Sequence, residues 1–239
     1  MIHIVMLYKT GGDYTIHDVN RLACAVRRNI TVSHRVYCLT DDLIRVEELV
    51  SLNGVYSLRH DLPGWWSKME LFKINGPILY FDLDTVITGN IDELAHCVMG
   101  AAPDKELLML RDFYRRYTFA SGILGWNGNL SRVFDIYLKQ HASTGQFISR
   151  PNATVMRTHN KIYRGDQEWL RAVLPIIHPA INVKLIQDAA RGIYSYKAHV
   201  VPSGLSEDAC VVCFHGKPRP TEVNPLPSWM EQHWSLCDA

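Results

Sequence analysis

The chain has 239 residues, 47% of them apolar, with 25 Lys and Arg against 24 Asp and Glu for a net charge of +1. That length predicts one large α/β domain with a sizeable core, and the balanced charge, with no basic run, argues against a nucleic-acid partner. No stretch approaches the ~20 apolar residues of a transmembrane segment. The apolar start, Met1 to Leu7, is too short for a signal peptide's core and lacks its basic lead, so it is expected to be the first strand. The six cysteines (24, 38, 97, 210, 213 and 237) are scattered and read as reduced, mostly buried thiols of a cytoplasmic protein. Cys210 and Cys213 have CxxC spacing, but they sit in an apolar run with no second pair, which argues against zinc.

In chain order, strand and helix patterns alternate. Residues 2–8 form the first strand. Gly11-Gly12-Asp13 breaks the chain, and Tyr14 to Asn29 carries helical periodicity through Val19, Leu22, Ala23 and Val26. Arg35 to Leu39 is a second strand, stopped at Thr40-Asp41-Asp42. A helix of about two turns follows, then a strand near Val55 to Leu58. Trp66 to Ile74 is helical and Gly76-Pro77 ends it. Residues 78–82 are a strand. Beyond it, Leu107 to Leu110 and Phe119 to Trp126 look like strands, and Leu130 to Gln140 and Gln167 to Val173 like helices. Val211 to His215 reads as a late strand. The stretch 216–229 holds Pro218, Pro220, Pro225 and Pro227 and reads as a loop, offering a contact to a membrane face or another subunit. Trp229 to Trp234 suggests a short helix.

This β-α-β-α-β-α-β order predicts a Rossmann-like α/β domain, a mostly parallel central sheet flanked by helices. The GxGxxG dinucleotide fingerprint does not follow strand one, which disfavours a dehydrogenase.

The most informative segment is Ile78-Leu79-Tyr80-Phe81-Asp82-Leu83-Asp84-Thr85. A buried strand ends in Asp82 and Asp84, two residues apart and therefore on one side of an extended chain end. Two converging carboxylates suit Mn²⁺ or Mg²⁺, whose further ligands are commonly phosphate oxygens. The end of such a strand is where open α/β sheets bind ligands. Two enzyme classes share this string: nucleotide-sugar glycosyltransferases, and haloacid-dehalogenase-like phosphatases that would use Asp82 as nucleophile. A pair of solvated aspartates ending a strand is the bland alternative.

Cys213-Phe214-His215-Gly216-Lys217-Pro218 is the second feature. It offers an imidazole, a glycine that lets backbone approach a ligand, and a lysine charge for phosphate. Two aspartates and a neutral histidine suit Mn²⁺ better than Mg²⁺. A structural histidine is the alternative.

Taken together these residues resemble glycosyltransferase family 8, the glycogenin-like and bacterial galactosyltransferase-like group, with its GT-A fold. The likeness runs from residue 4 to about 220, through Tyr14, Lys68, Asp82-Leu83-Asp84, Phe119-Ala120-Ser121-Gly122, Gly165-Asp166-Gln167 and His215-Gly216-Lys217-Pro218, in the family's order. The resemblance implies that Asp82, Asp84 and His215 ligate Mn²⁺ and that Gly216 and Lys217 contact the donor diphosphate. It implies that Tyr14 stacks on the base near Leu7, Tyr8 and Thr10, with Leu83 beside the nucleotide. Lys68 would reach the donor phosphate or sugar, and Ser121, Asp166 and Gln167 would surround the sugar and acceptor. The implied reaction moves a hexose from a UDP-sugar, with retention, to a glycan, lipid-linked sugar or protein acceptor. Residues 1–95 would be the nucleotide-binding half, 96–220 the sugar and acceptor half, and 221–239 a tail. The chain departs from the family at Ala120, where asparagine is usual, and in its tighter His-Gly-Lys-Pro spacing.

Alternatives remain open at several positions. Asp166 serves either the chemistry or the N-cap of the helix at 168–173. Trp65 and Trp66 offer a sugar platform or a hydrophobic staple. Gly11 and Gly12 cradle a phosphate or only turn the chain, and Arg111, Arg115 and Arg116 line a substrate loop or a solvated face. The phosphatase reading fits less well, because about 80 residues of α/β pattern precede Asp82, whereas that nucleophile usually sits on the first strand. A non-catalytic nucleotide-sugar-binding module is the remaining alternative.

Overall fold

A computed structural model describes residues 1–49, 51–150, 153–158, 161–177 and 180–236. β1 (Ile2–Tyr8) leads through α1 (Ile16–Arg28) to β2 (His34–Thr40), then through the short α2 (Leu43–Glu47) to β3 (Gly54–Ser57). A 3-10 helix (Gly64–Lys73) precedes β4 (Ile78–Phe81), β5 (Thr85–Ile87) and α3 (Asp92–Met99). β6 (Glu106–Arg111), β7 (Phe119–Trp126), α4 (Ser131–Thr144), β8 (Gln146–Arg150), β9 (Ala153–Arg157) and β10 (Ile162–Tyr163) follow. Then come α5 (Asp166–Ile177), β11 (Asn182–Leu185), β12 (Ile193–Ser195), a π-helical turn (Tyr196–Val200), β13 (Val211–Cys213) and a short helix (Ser228–His233).

The central sheet has seven strands in the order β11-β6-β7-β4-β1-β2-β3. β7 runs antiparallel to both β4 and β6, while the other pairings are parallel. The sheet is therefore mostly parallel, as expected. The chain builds outward from β1 to β2 and β3, then returns to add β4 on the other side of β1. That reversal opens a crevice at the carboxyl ends of β1 and β4. β12, β13 and β5 form a second sheet, and β10, β9 and β8 a third.

Both faces of the central sheet are covered, which explains the near-continuous apolar strands. Along β1, Ile2, Ile4, Met6 and Tyr8 join one core cluster and Val5 the other; along β4, Leu79 and Phe81 part from Ile78 and Tyr80 in the same way. Each such large side chain contributes about 1.5–3 kcal/mol on burial. α1 starts where a capping residue precedes its apolar periodicity: Asp18 accepts from the Thr15 N–H at 2.7 Å and from its hydroxyl at 3.0 Å. Val19, Leu22, Ala23 and Val26, the predicted apolar face, are buried. Gly125 in β7 lets α3 sit close to the sheet, since a Cβ there would stand 2.5 Å from Val98.

Several elements differ from the sequence expectation. The helix expected over 66–74 is a ten-residue 3-10 helix, and all of Trp66 to Phe72 are buried. Its three-residue repeat eclipses positions i and i+3, which aligns Trp65 with Lys68. The strand expected to reach His215 ends at Cys213, because His215 takes the left-handed conformation at φ 37°. β5, α3, β8 to β10, β11 and β12 were not expected. Asn90, Asp92 and the Leu94, Ala95, Val98 spacing were a legible helix signal for α3. The cysteine expectation is corrected at Cys24, which is disulfide-bonded; Cys38, Cys97, Cys210 and Cys213 are free, and Cys237 lies outside the described residues. Among the described residues no helix is long and apolar enough to cross a membrane.

Candidate active site

The crevice at the ends of β1 and β4 is a cleft of about 570 Å³. β1 delivers Leu7 to its wall, and the turn after it supplies Thr10, Gly11, Gly12 and Tyr14; β4 runs out into Asp82, Leu83 and Asp84. Lys68 and Trp65 enter from the 3-10 helix, Ser121 from β7, Asp166 and Gln167 from the first turn of α5, and His215 and Gly216 from the segment after β13. Two expected residues lie elsewhere. Tyr8 alternates to the opposite face and is buried among Ile2, Ile4 and Met6. Lys217 is 76% exposed and pairs with Glu222 at 3.0 Å.

A charge cluster of buried Lys68 and Asp166 and half-buried Asp82 lines the cleft. Lys68 Nζ lies 2.8 Å from Asp82 Oδ1 and 3.0 Å from Oδ2. It stands 3.5 Å from Asp166 Oδ2 and 3.4 Å from both the carbonyl and the hydroxyl of Ser121. Burial alone would drive the proton off Lys68, but Asp166 and Asp82 outweigh it and hold the ammonium above its ordinary range. Asp82 is pushed up to about 6, chiefly by burial and also by Asp84, against the pull of Lys68 and the Tyr80 hydroxyl that donates to it. Asp166 is buried, and its Oδ2 accepts no hydrogen bond. It is the first residue of α5, one place inside the cap, and Trp169 N–H bonds the Gly165 carbonyl instead. The N-cap role is thus Gly165's by position, and the Asp166 carboxylate is left to the cleft and the helix dipole. Gln167 Oε1 accepts the Ser121 N–H at 3.3 Å.

His215 is held by groups that sequence reasoning did not single out. Its Nε2 is 2.6 Å from Ser195 Oγ, and Lys197 Nζ donates to its carbonyl at 2.8 Å. Phe113 stacks on its ring with centroids 5.5 Å apart. Burial, and then the Lys197 charge, lower its pKa, so the imidazole is neutral near pH 7. Ser195 and Lys197 come from the unexpected β12 and its π-helical turn, a form common at functional sites. Lys9, Asp13, Tyr80, Thr154 and Arg219 also line the cleft without having been expected there. Arg219 carried one signal, its place four residues after His215 and just before Pro220.

No family model matches the sequence, and no curated protein matches it either. Solved structures do match its fold. The glycosyltransferase GlyE of Streptococcus pneumoniae TIGR4 is 13% identical with a TM-score of 0.61, covering 100% of this chain and 62% of that one. The galactosyltransferase LgtC, solved with donor and acceptor sugar analogs, is 11% identical with a TM-score of 0.59, covering 98% of this chain and 94% of that one. The bifunctional glycosyltransferase WbbM is 10% identical with a TM-score of 0.60, over 96% of this chain and 49% of that one. This chain has the GT-A glycosyltransferase fold. It spans about three-fifths of the GlyE structure and half of the WbbM structure, and nearly all of LgtC. In this GT-A fold the aspartate pair ends β4, well past the first strand where the phosphatase alternative would have it.

The donor set suits a divalent ion in kind: two carboxylates and a neutral imidazole. Asp82, Asp84 and His215 line one cavity of about 150 Å³ beside the main cleft. Among the described residues they do not converge as a ready three-ligand cluster. Asp82 faces Lys68, and His215 Nε2 faces Ser195.

Proposed function

We propose that this protein is a glycosyltransferase that moves a hexose from a UDP-sugar, with retention at the anomeric carbon, to a glycan, lipid-linked sugar or protein acceptor. The observation that supports it best is the gathering of Asp82, Asp84, Lys68 and Asp166 in one cleft at the β1–β4 crevice of a GT-A fold. In this reading Tyr14 stacks on the base, with Leu7 and Thr10 beside it, and Gly216 lets backbone approach the diphosphate. Asp82, Asp84 and His215 would hold a divalent ion, Mn²⁺ in preference to Mg²⁺, which supplies positive charge to a diphosphate leaving group. Lys68 sets a positive charge between Asp82 and Asp166. Asp166, which lines the cleft, would meet the sugar by charge and hydrogen bond, with Gln167 beside it steadying the sugar.

The test is a panel of nucleotide sugars scored for slow donor hydrolysis in Mn²⁺, which requires no acceptor, together with calorimetry of UDP. UDP binding that is strong in Mn²⁺ and weak in EDTA is expected, with Asp84→Ala removing most of the metal-dependent part. Equal affinity in EDTA, or preference for another nucleotide, would sink this reading.

A further inference from the structure

Arg219 lies across the cleft, and its contacts are unusual for a residue that no motif singled out. Its guanidinium sits 4.6 Å from the centroid of the Tyr14 ring and donates to the Tyr14 hydroxyl. Nη2 pairs with Asp13 Oδ2 at 2.5 Å, and Nη1 reaches only to 3.8 Å from Asp84 Oδ2. Nε is buried with no hydrogen-bond partner. The side chain is 17% exposed, against 76% for Lys217. The backbone fixes this placement, since Arg219 N–H bonds Glu222 Oε2 at 2.8 Å and Pro220 is buried.

We propose that Arg219, and not Lys217, is the cation that selects a nucleoside diphosphate, and that it also latches the base end of the cleft until a diphosphate draws it away. The inference rests on the donor reading above. A guanidinium carries five donors in a planar fork suited to phosphate. Here Nε is unspent, and Nη1, which donates to the Tyr14 hydroxyl, stays 3.8 Å short of Asp84. Its one close carboxylate, Asp13, is 64% exposed, so that pair is weak in water and a diphosphate of higher charge outcompetes it. The same guanidinium covers one face of Tyr14, the ring that would receive the base. A nucleoside without phosphates has nothing to move it with. Arg219 thus sets the gap between UDP and uridine from both ends, strengthening one and obstructing the other.

The test is calorimetry of UDP and of uridine, each at the same Mn²⁺ concentration, on the wild-type chain and three variants. Arg219→Ala should lower UDP affinity by about 10- to 100-fold through lost charge-assisted hydrogen bonds. It should raise uridine affinity by about 2- to 5-fold as the Tyr14 face is freed. Lys217→Ala should leave both within about twofold. Asp13→Asn keeps the arginine but loosens its anchor, so UDP should bind tighter rather than weaker. That variant carries the test if Arg219→Ala unfolds. A loss of uridine affinity in parallel with UDP in Arg219→Ala, a UDP loss in Lys217→Ala, or weaker UDP binding in Asp13→Asn overturns the inference. Failure of the wild-type chain to bind UDP overturns the donor reading and this inference together, and shows itself before any variant is made.

Discussion

Lys68 and Asp166 show how single residues acquire their roles here. An ammonium enclosed by two carboxylates is costly to desolvate, and removing one partner would leave an uncompensated buried charge, at about 3–5 kcal/mol. The cluster therefore acts less as a staple than as a device that keeps an ammonium charged inside a cleft. Asp166 Oδ2 is buried there without a hydrogen bond, 3.5 Å from the Lys68 ammonium. Asp166→Asn should cut turnover by orders of magnitude while UDP and Mn²⁺ binding stay near wild type, because the loss falls on the transition state. Steady-state kinetics beside calorimetry would check it. Near-wild-type turnover would leave Asp166 as a helix-terminal charge only.

At the scale of elements, Asp92 in the first turn of α3 ties that helix to the loop between α1 and β2. Its carboxylate accepts from the Thr31 N–H at 2.8 Å and the Val32 N–H at 3.1 Å, and from the Thr31 hydroxyl. Burial raises its pKa, but these hydrogen bonds together outweigh burial and bring it to about 2, below the ordinary 3.8. A carboxyl depressed on folding contributes stability that is complete above its unfolded value and is lost as pH falls toward the folded one. The expected loss between pH 4 and pH 2 is about 1 kcal/mol after solvent screening. Asp92→Asn should remove that slope from denaturant unfolding measured across the range. An unchanged slope would show that the contacts do not persist in solution.

At the scale of the whole molecule, the cleft draws its walls from distant parts of the chain. Residues 9–14 follow β1, and residues 215–219 follow β13, in a different sheet. A ligand bridging them should order both. Hydrogen exchange is expected to slow at 9–14 and 215–219 together when UDP and Mn²⁺ are added. Slowing at only one segment would show that the ligand does not span the cleft.

Much of this architecture was legible locally. The β1-α1-β2 and β4 patterns are strong because both faces of a mostly parallel sheet are buried, so its strands are apolar runs that periodicity detects. The Asp82–Asp84 pair was legible because it follows such a run directly. The short strands β5 and β12 gain their form from pairing with β13 across long sequence gaps, which no local pattern records. The same limit applied within the site. A window of sequence shows His215-Gly216-Lys217 as one unit. Whether Lys217 or Arg219 turns into the cleft depends on the left-handed turn at His215 and on where Glu222, Asp13 and Tyr14 stand. Sequence by itself determined the α/β class, the order of the central elements and the carboxylate pair, because these follow from burial and side-chain alternation along the chain. Only the tertiary structure decided which cations face those carboxylates, because that is set by contacts between residues far apart in sequence.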